Sequence, residues 1–439
     1  MNWGGWFYHR CWMVVLLGVG WWSTFSVEPV IGAEVFMGIT KSESEKIPFG
    51  ILGFEVQESL RLEGTTARGI LEADLRRSHF FRVIDLPGMR FQGEQNRAHE
   101  DLVREIRGVG ADAFVWARLG LNGEDVVLEA HVYDAFKGKV VLSKRYSGQR
   151  KFFRAVVHRL SDDIVYHYTG EKGFAQTTIA YVSNLSGVKE VFLIDYDGYN
   201  PRRITGDQSI VLSPRWSPDG KWITYTSFRD GNPDLFVIDL VTSRRWKMAG
   251  FPGLNISPAW NPSGSFLAFA SSKDGNTELY LLNREGKNLK RITFNSSTDL
   301  SPTWSPSGNA MVFTSDRGGS PQLYLMNADG SNVHRLTFTG SYNSSPSWSP
   351  SGEWIAYTCR VDRFFHICLI SPDGLKEVQI TEGAWDDENP SWAPDGRHLV
   401  FGSNREGPFN LYFMGAKGTD LERLTFNGAD NMNPAWSPR

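Results

Sequence analysis

The chain has 439 residues, of which 41% are apolar and 22% charged, the proportions of an ordinary soluble globular protein long enough to hold two domains. A formal net charge of −3 supplies no basic field and argues against nucleic acid as a partner. With three cysteines in all, the fold must rest on its apolar core and not on a disulfide framework.

Residues 1–33 read as a secretory signal, with an uncleaved anchor as the alternative. His9 and Arg10 give a weakly basic start, and Cys11 to Val27 carries no charge. Gly32 and Ala33 then precede Glu34 as a cleavage point. The apolar run is short against the ~20 residues of a membrane span, and no small-residue lipobox precedes Cys11. Residues 34–46 form an extended polar leader without core spacing.

Residues 47–170 read as a small α/β domain. The expected order is a strand (47–54), a helix (65–78), a strand (80–85), a helix (98–107), three strands (113–119, 126–134, 139–147) and a helix (152–168). Ala67, Ile70, Leu71 and Leu75 share one face of the first helix. Phe153, Val157, Leu160 and Ile164 hold core spacing in the last. Thr169 to Gly173 is a short linker.

Residues 176–439 repeat. Tryptophans stand at 216, 260, 304, 348, 392 and 436, each 44 residues from the next, in a Ser/Asn-Pro-x-Trp segment. An apolar-small-aromatic triplet keeps the same step: Ile179 to Tyr181, Ile223 to Tyr225, Leu267 to Phe269, Met311 to Phe313, Ile355 to Tyr357 and Leu399 to Phe401. A second aromatic recurs at Phe192, Phe236, Tyr280, Tyr324 and Tyr412, and a third element ends in Ile204-Thr205, Ile292-Thr293, Leu336-Thr337, Ile380-Thr381 and Leu424-Thr425. The apolar runs are short, β-branched and aromatic, with turn residues between them. Each unit therefore supplies four strands, a to d, and six units make an all-β, six-bladed propeller. Because the last unit stops after its Trp segment and the first lacks one, the strand at Trp436 is expected to complete the first blade.

No catalytic signature is present, and neither a catalytic residue, a cofactor nor a metal is expected. His334, His366 and His398 fall on strands d, c and b of their blades and cannot form a ring of ligands. Asp195-Tyr-Asp-Gly198 reads as a β-turn in place of a calcium loop. Cys359 and Cys368 depart from the repeat in the same b–c hairpin, so either a hairpin disulfide or two unpaired thiols is open. The d–a segments contain Asp207, Asp299, Glu382, Asp386, Asp387, Glu388 and Asp430 without Lys or Arg. The b–c loops carry Lys189, Arg229, Lys273, Arg317, Arg360, Arg363 and Arg405. This predicts an acidic tunnel mouth inside a basic rim, a generic solvated face being the alternative.

The order of signal, α/β domain and six units resembles the TolB family of the Tol–Pal envelope system of Gram-negative bacteria. The likeness runs through Glu34-Val35, Ile47-Pro-Phe49, Ala73-Asp-Leu-Arg-Arg-Ser78, Gly110-Ala-Asp112, Arg154-Ala-Val-Val-His158, Thr169-Gly170, Ile179 to Ser183, Asp195 to Asn200 and Pro434 to Pro438. It implies a non-enzymatic, monomeric periplasmic adaptor that supports outer-membrane integrity and envelope constriction at division. The tunnel face would bind a Pal-type peptidoglycan-associated lipoprotein. Here that face is expected to comprise Leu212, Ser213, Leu254, Ile256, Ser257, Asp299, Leu300, Ser301, Ser344, Asp386, Asp387, Glu388, Asp430 and Met432. The leader, through Glu34, Val35, Phe36, Met37 and Ile39, would bind a TolA-type inner-membrane protein, and Phe36-Met-Gly38 leaves its mode of strand addition open. The rival reading is a propeller-type hydrolase or lyase of secreted substrates.

Overall fold

The computed structural model describes residues 46–86, 88, 89, 91 and 97–439. The signal reading and the leader residues Glu34, Val35, Phe36, Met37 and Ile39 lie outside them.

The amino-terminal part is a mixed sheet covered by helices. Its elements are β1 (Ile47–Ile51), β2 (Glu55–Val56), α1 (Arg61–Arg77), β3 (Phe81–Ile84), α2 (Arg97–Gly108), β4 (Ala113–Asn122), β5 (Asp125–Asp134), β6 (Lys139–Gln149) and α3 (Phe153–Thr169). The sheet order is β3-β1-β4-β5-β6, parallel on the β3 side and antiparallel from β4 onward, with β2 paired to β4. The expected apolar stripes drive this packing: Ala67, Ile70, Leu71 and Leu75 of α1 and Val157, Leu160 and Ile164 of α3 share one core with the sheet. Leu102 and Ile106 of α2 form a second core with Phe114, Trp116 and Tyr133. Helix α1 starts four residues before its expected position, and Gly64 in its first turn sits against Val56, where a Cβ would lie 2.4 Å from that side chain.

The repeat region forms six four-stranded antiparallel sheets. Blades 2 to 6 each use four consecutive strands, and blade 1 is completed by the carboxy-terminal strand Asn431–Trp436 pairing with Thr178–Ser183. The six a strands neighbour one another and make the innermost ring. Indoles stitch adjacent blades: Trp216 donates to the Ala435 carbonyl at 2.9 Å, Trp304 to Ala259 at 3.1 Å and Trp392 to Ser347 at 2.9 Å. The recurrent threonine closes the outer edge. Thr205, Thr293, Thr337, Thr381 and Thr425 each accept an amide from strand c through Oγ1 at 2.8–3.0 Å, which ends the a-to-d sheet without an orphan donor. Stacking also demands glycine in the c–d turn of blade 4. At Gly330 (φ +93°) a Cβ would lie 2.2 Å from the Ile292 carbonyl oxygen of the preceding blade.

The α/β domain rests on the side of the ring formed by a–b and c–d turns, against blades 1 and 6. Arg77 pairs with Glu422 at 2.6 Å, Arg397 with Glu171 at 2.6 Å, and His79 meets His398 edge-on with ring centroids 4.4 Å apart. Phe174 in the linker packs on His398, Phe413 and Trp436. The linker is pinned: Asp162 accepts the Ala175 amide and the Gln176 side chain, both at 2.9 Å.

Within blade 5, Cys359 and Cys368 form a disulfide with Cα atoms 5.9 Å apart. The two lie diagonally across the b–c hairpin, since Cys359 faces His366 and Cys368 faces Tyr357.

Deletion of residues 433–439 is expected to abolish cooperative melting of the ring, and a truncated protein that melts like the parent would refute closure by this strand. Trp436, 6% exposed and donating to Thr177 at 2.8 Å, should cost about 3–5 kcal/mol on replacement by alanine in denaturant titration. The disulfide closes a loop of sequence separation 9, so Cys359→Ser with Cys368→Ser should lose about 2–3 kcal/mol. Non-reducing peptide mapping that finds both thiols free would remove that expectation.

Candidate docking face

In every blade the a strand carries a bulge at the same place. Pairing with strand b shifts register between the second and fifth residues, as between Leu212 and Arg215. The third residue takes a left-handed conformation: Ser213, Ser257, Ser301, Ser345, Asn389 and Asn433 all have φ between +49° and +56°. Bulges bend a strand and re-aim its side chains. Here the first residue turns inward and is buried, while the second and third remain half-exposed on the inner wall. Leu212, Ser213, Ile256, Ser257, Leu300, Ser301, Ser344, Glu388 and Met432 all occupy those half-exposed positions, and Leu254 is exposed just before them.

Of the seven acids expected at the tunnel mouth, Asp207, Asp299 and Asp387 have buried side chains. Asp299 and Asp387 occupy the buried first position, with side chains 0% exposed. Arg317 and Arg405 of the b–c loops reach across to them at 2.8 Å, so two rim bases neutralise two mouth acids inside the wall. Both aspartates are therefore structural, and neither offers a carboxylate to a partner. Asp207 is buried as well, 3.5 Å from Arg229 and from Arg245. Asp386 and Asp430 are half-exposed but bridge blades, accepting the amides of Phe365 at 3.0 Å and Phe409 at 3.1 Å. Glu382 is exposed and Glu388 half-exposed. Glu388 stands where the other blades have Leu212, Ile256, Leu300, Ser344 and Met432, and burial, followed by the nearby Asp386, pushes its carboxyl up from the usual range.

The loops also expose aromatic rings. Phe294, Phe338 and Phe426 follow the edge-closing threonines of blades 3, 4 and 6 and are 74–75% exposed. Each ring is covered on one side by an arginine three residues earlier, Arg291, Arg335 or Arg423, at 4.8–5.1 Å. Charge counting passed over these residues. The signal was in the repeat itself, as an apolar-Thr-Phe run.

On the opposite side a buried polar cluster joins the two domains. Asp74 of α1 accepts from Ser161 at 2.6 Å, from the Tyr196 hydroxyl, and from His158 Nδ1 at 2.7 Å. Asp197 receives Arg154 and lies 3.5 Å from His158 Nε2. The segment read as a plain turn is one, with the Gly198 amide donating to the Asp195 carbonyl at 2.9 Å, but its side chains lock the ring to α1 and α3. Tyr196 was visible as a departure, because other blades hold Leu240, Arg284, Ala328, Pro372 or Ala416 there. Burial alone would lower the His158 pKa, but Asp74 and Asp197 raise it above the usual histidine value. His79 behaves oppositely: burial and then the facing His398 hold it down to about 4, outweighing Asp420 at 2.9 Å. His334, His366 and His398 sit on separate strands of separate blades, and among the described residues no group of three His, Cys, Asp or Glu side chains could hold a metal.

These features define a six-bladed β-propeller with an α/β domain on one face. The TolB beta propeller domain matches residues 166–439 and the TolB amino-terminal domain residues 37–141, so the chain belongs to the TolB family. A protein named "Tol-Pal system protein TolB" from Geobacter sulfurreducens is 42% identical over 152 residues, covering 35% of each chain. Its namesake from Desulfosudis oleivorans is 38% identical over 198 residues, covering 44% of this chain and 45% of that one. The matched stretches thus span less than half the length of these curated relatives. The crystal structure of TolB from Acinetobacter baumannii superposes with a TM-score of 0.78 at 27% identity, covering 90% of this chain and 97% of that chain.

The two histidines set opposite pH limbs on the domain interface. The raised pKa of His158 gives stability that is complete below the ordinary histidine value and lost as pH rises through the raised one. The lowered pKa of His79 gives stability present above about 6.5 and lost as pH falls toward about 4. Melting followed across pH should therefore show Asp74→Asn flattening the alkaline limb and His79→Gln the acid limb. Unchanged profiles in both variants would refute the assignment.

Proposed function

We propose that the chain is a non-enzymatic, monomeric adaptor of the Tol–Pal envelope system in the periplasm. On this reading the d–a and b–c face receives a Pal-type peptidoglycan-associated lipoprotein, and the leader around Glu34, Val35, Phe36, Met37 and Ile39 receives a TolA-type inner-membrane protein. The activity would support outer-membrane integrity and envelope constriction at division. One observation carries the docking half: the α/β domain occupies the a–b and c–d side, which leaves the other side uncovered with three exposed phenylalanines and an inner ring of Leu212, Ile256, Leu300, Glu388 and Met432. The names of the relatives support the system, and the signal reading supports the compartment. Among the described residues no helix is long and apolar enough to cross a membrane.

Exposed aromatic anchors are the residues on which interfaces concentrate their energy. A soluble Pal-type domain should bind the protein, and Phe294→Ala with Phe338→Ala should weaken binding about tenfold to a hundredfold in calorimetry. Removal of residues 34–45 should abolish capture of the TolA-type domain and leave lipoprotein binding unchanged. Undiminished lipoprotein affinity in the double variant would refute this face as the docking surface.

A further inference from the structure

Arg215 is the fifth residue of the blade 2 a strand, paired opposite Thr224. At the same register the other blades hold Ala259, Thr303, Ser347, Ser391 and Ala435, all small and uncharged. Side chains from this position run along the inner wall: Ser391 Oγ accepts the Trp436 amide of the next blade at 2.9 Å, and Thr303 Oγ1 the Trp348 amide at 3.4 Å. An arginine there is too long to stop at the wall. Its Nη1 donates to the Pro214 carbonyl at 2.9 Å, and no carboxylate pairs with it among the described residues. Arg215 is half-buried on the innermost strand of its blade.

Other enclosed arginines among the described residues differ. Arg317, Arg405 and Arg77 meet Asp299, Asp387 and Glu422 at 2.8, 2.8 and 2.6 Å. Only burial acts on Arg215, pushing its guanidinium down to about 10. An enclosed charge without a counter-ion is costly, and an anion arriving at its free donors removes that cost.

We propose that Arg215 forms an anion site deep in the central tunnel and takes a carboxylate. A single guanidinium with no second cation at this level matches a monoanion, not a phosphate dianion. Its planar fork fits the two oxygens of a carboxylate. The carboxylate has two sources, a free organic anion or an acidic group of a segment threaded into the tunnel. The second source rests on the docking reading above.

The test follows the Arg215 Nε–H resonance in the 15N-labelled protein, identified by its loss in Arg215→Gln. Sodium acetate is titrated against sodium chloride at equal ionic strength. A shift that saturates with acetate and not with chloride is expected. Equal movement in both salts, or none in either, overturns the site. Independently, Arg215→Gln should melt at or above the parent in acetate-free buffer, because it removes an uncompensated enclosed charge. A lower melting temperature would make Arg215 a structural residue and overturn the proposal. Addition of the soluble Pal-type domain then identifies the source: reversal of the acetate shift assigns the carboxylate to the partner, and an unchanged shift in the complex assigns it to a free anion. Failure of that domain to bind at all counts against the docking reading and leaves the anion site standing.

Discussion

A four-stranded blade has two apolar faces and can cover neither by itself, so every blade depends on its neighbours and the whole ring on the contact that joins its ends. Here that contact is the pairing of Asn431–Trp436 with Thr178–Ser183, which places the last strand of the chain at the inside of the first blade. The indole of Trp216 reaches the Ala435 carbonyl only because this strand is there. The tunnel wall needs six a strands to be continuous, and the proposed docking face and the proposed Arg215 site both lie on that wall or at its rim.

Closure also decides where the α/β domain sits. Blades 1 and 6 meet at the seam, and the domain fastens to both: Asp74, His158 and Arg154 hold the Tyr196-Asp197 turn of blade 1, while His79, Arg77 and Glu171 hold His398, Glu422 and Arg397 of blade 6. A domain fixed across the seam braces it. The same arrangement leaves the d–a and b–c side open, which ties the position of the proposed docking face to the position of the seam.

The blade count, strand content and closing strand were legible because the repeat never slips from 44 residues, and periodic burial writes itself directly into sequence. The α/β elements were legible for a similar reason, since α1 and α3 carry one apolar stripe each. The loops were less so. Their acids and bases could be counted, but Asp299 and Arg317, or Asp387 and Arg405, are eighteen residues apart and neutralise one another only once the a strand is placed beside the b–c loop. A charge total on a face cannot distinguish a carboxylate aimed at solvent from one enclosed against an arginine.

By itself, the sequence determined a six-bladed ring closed by its own carboxy-terminal strand, because repeat spacing and alternating apolar residues are local properties of the chain. Only the tertiary structure decided which side chains of that ring face outward. The bulge at Ser213 and its five counterparts rotates the a strand so that its first residue is buried and the next two line the tunnel. The closing strand is thus read from the repeat, but the chemistry of the ring it completes is set by contacts between residues distant in the chain.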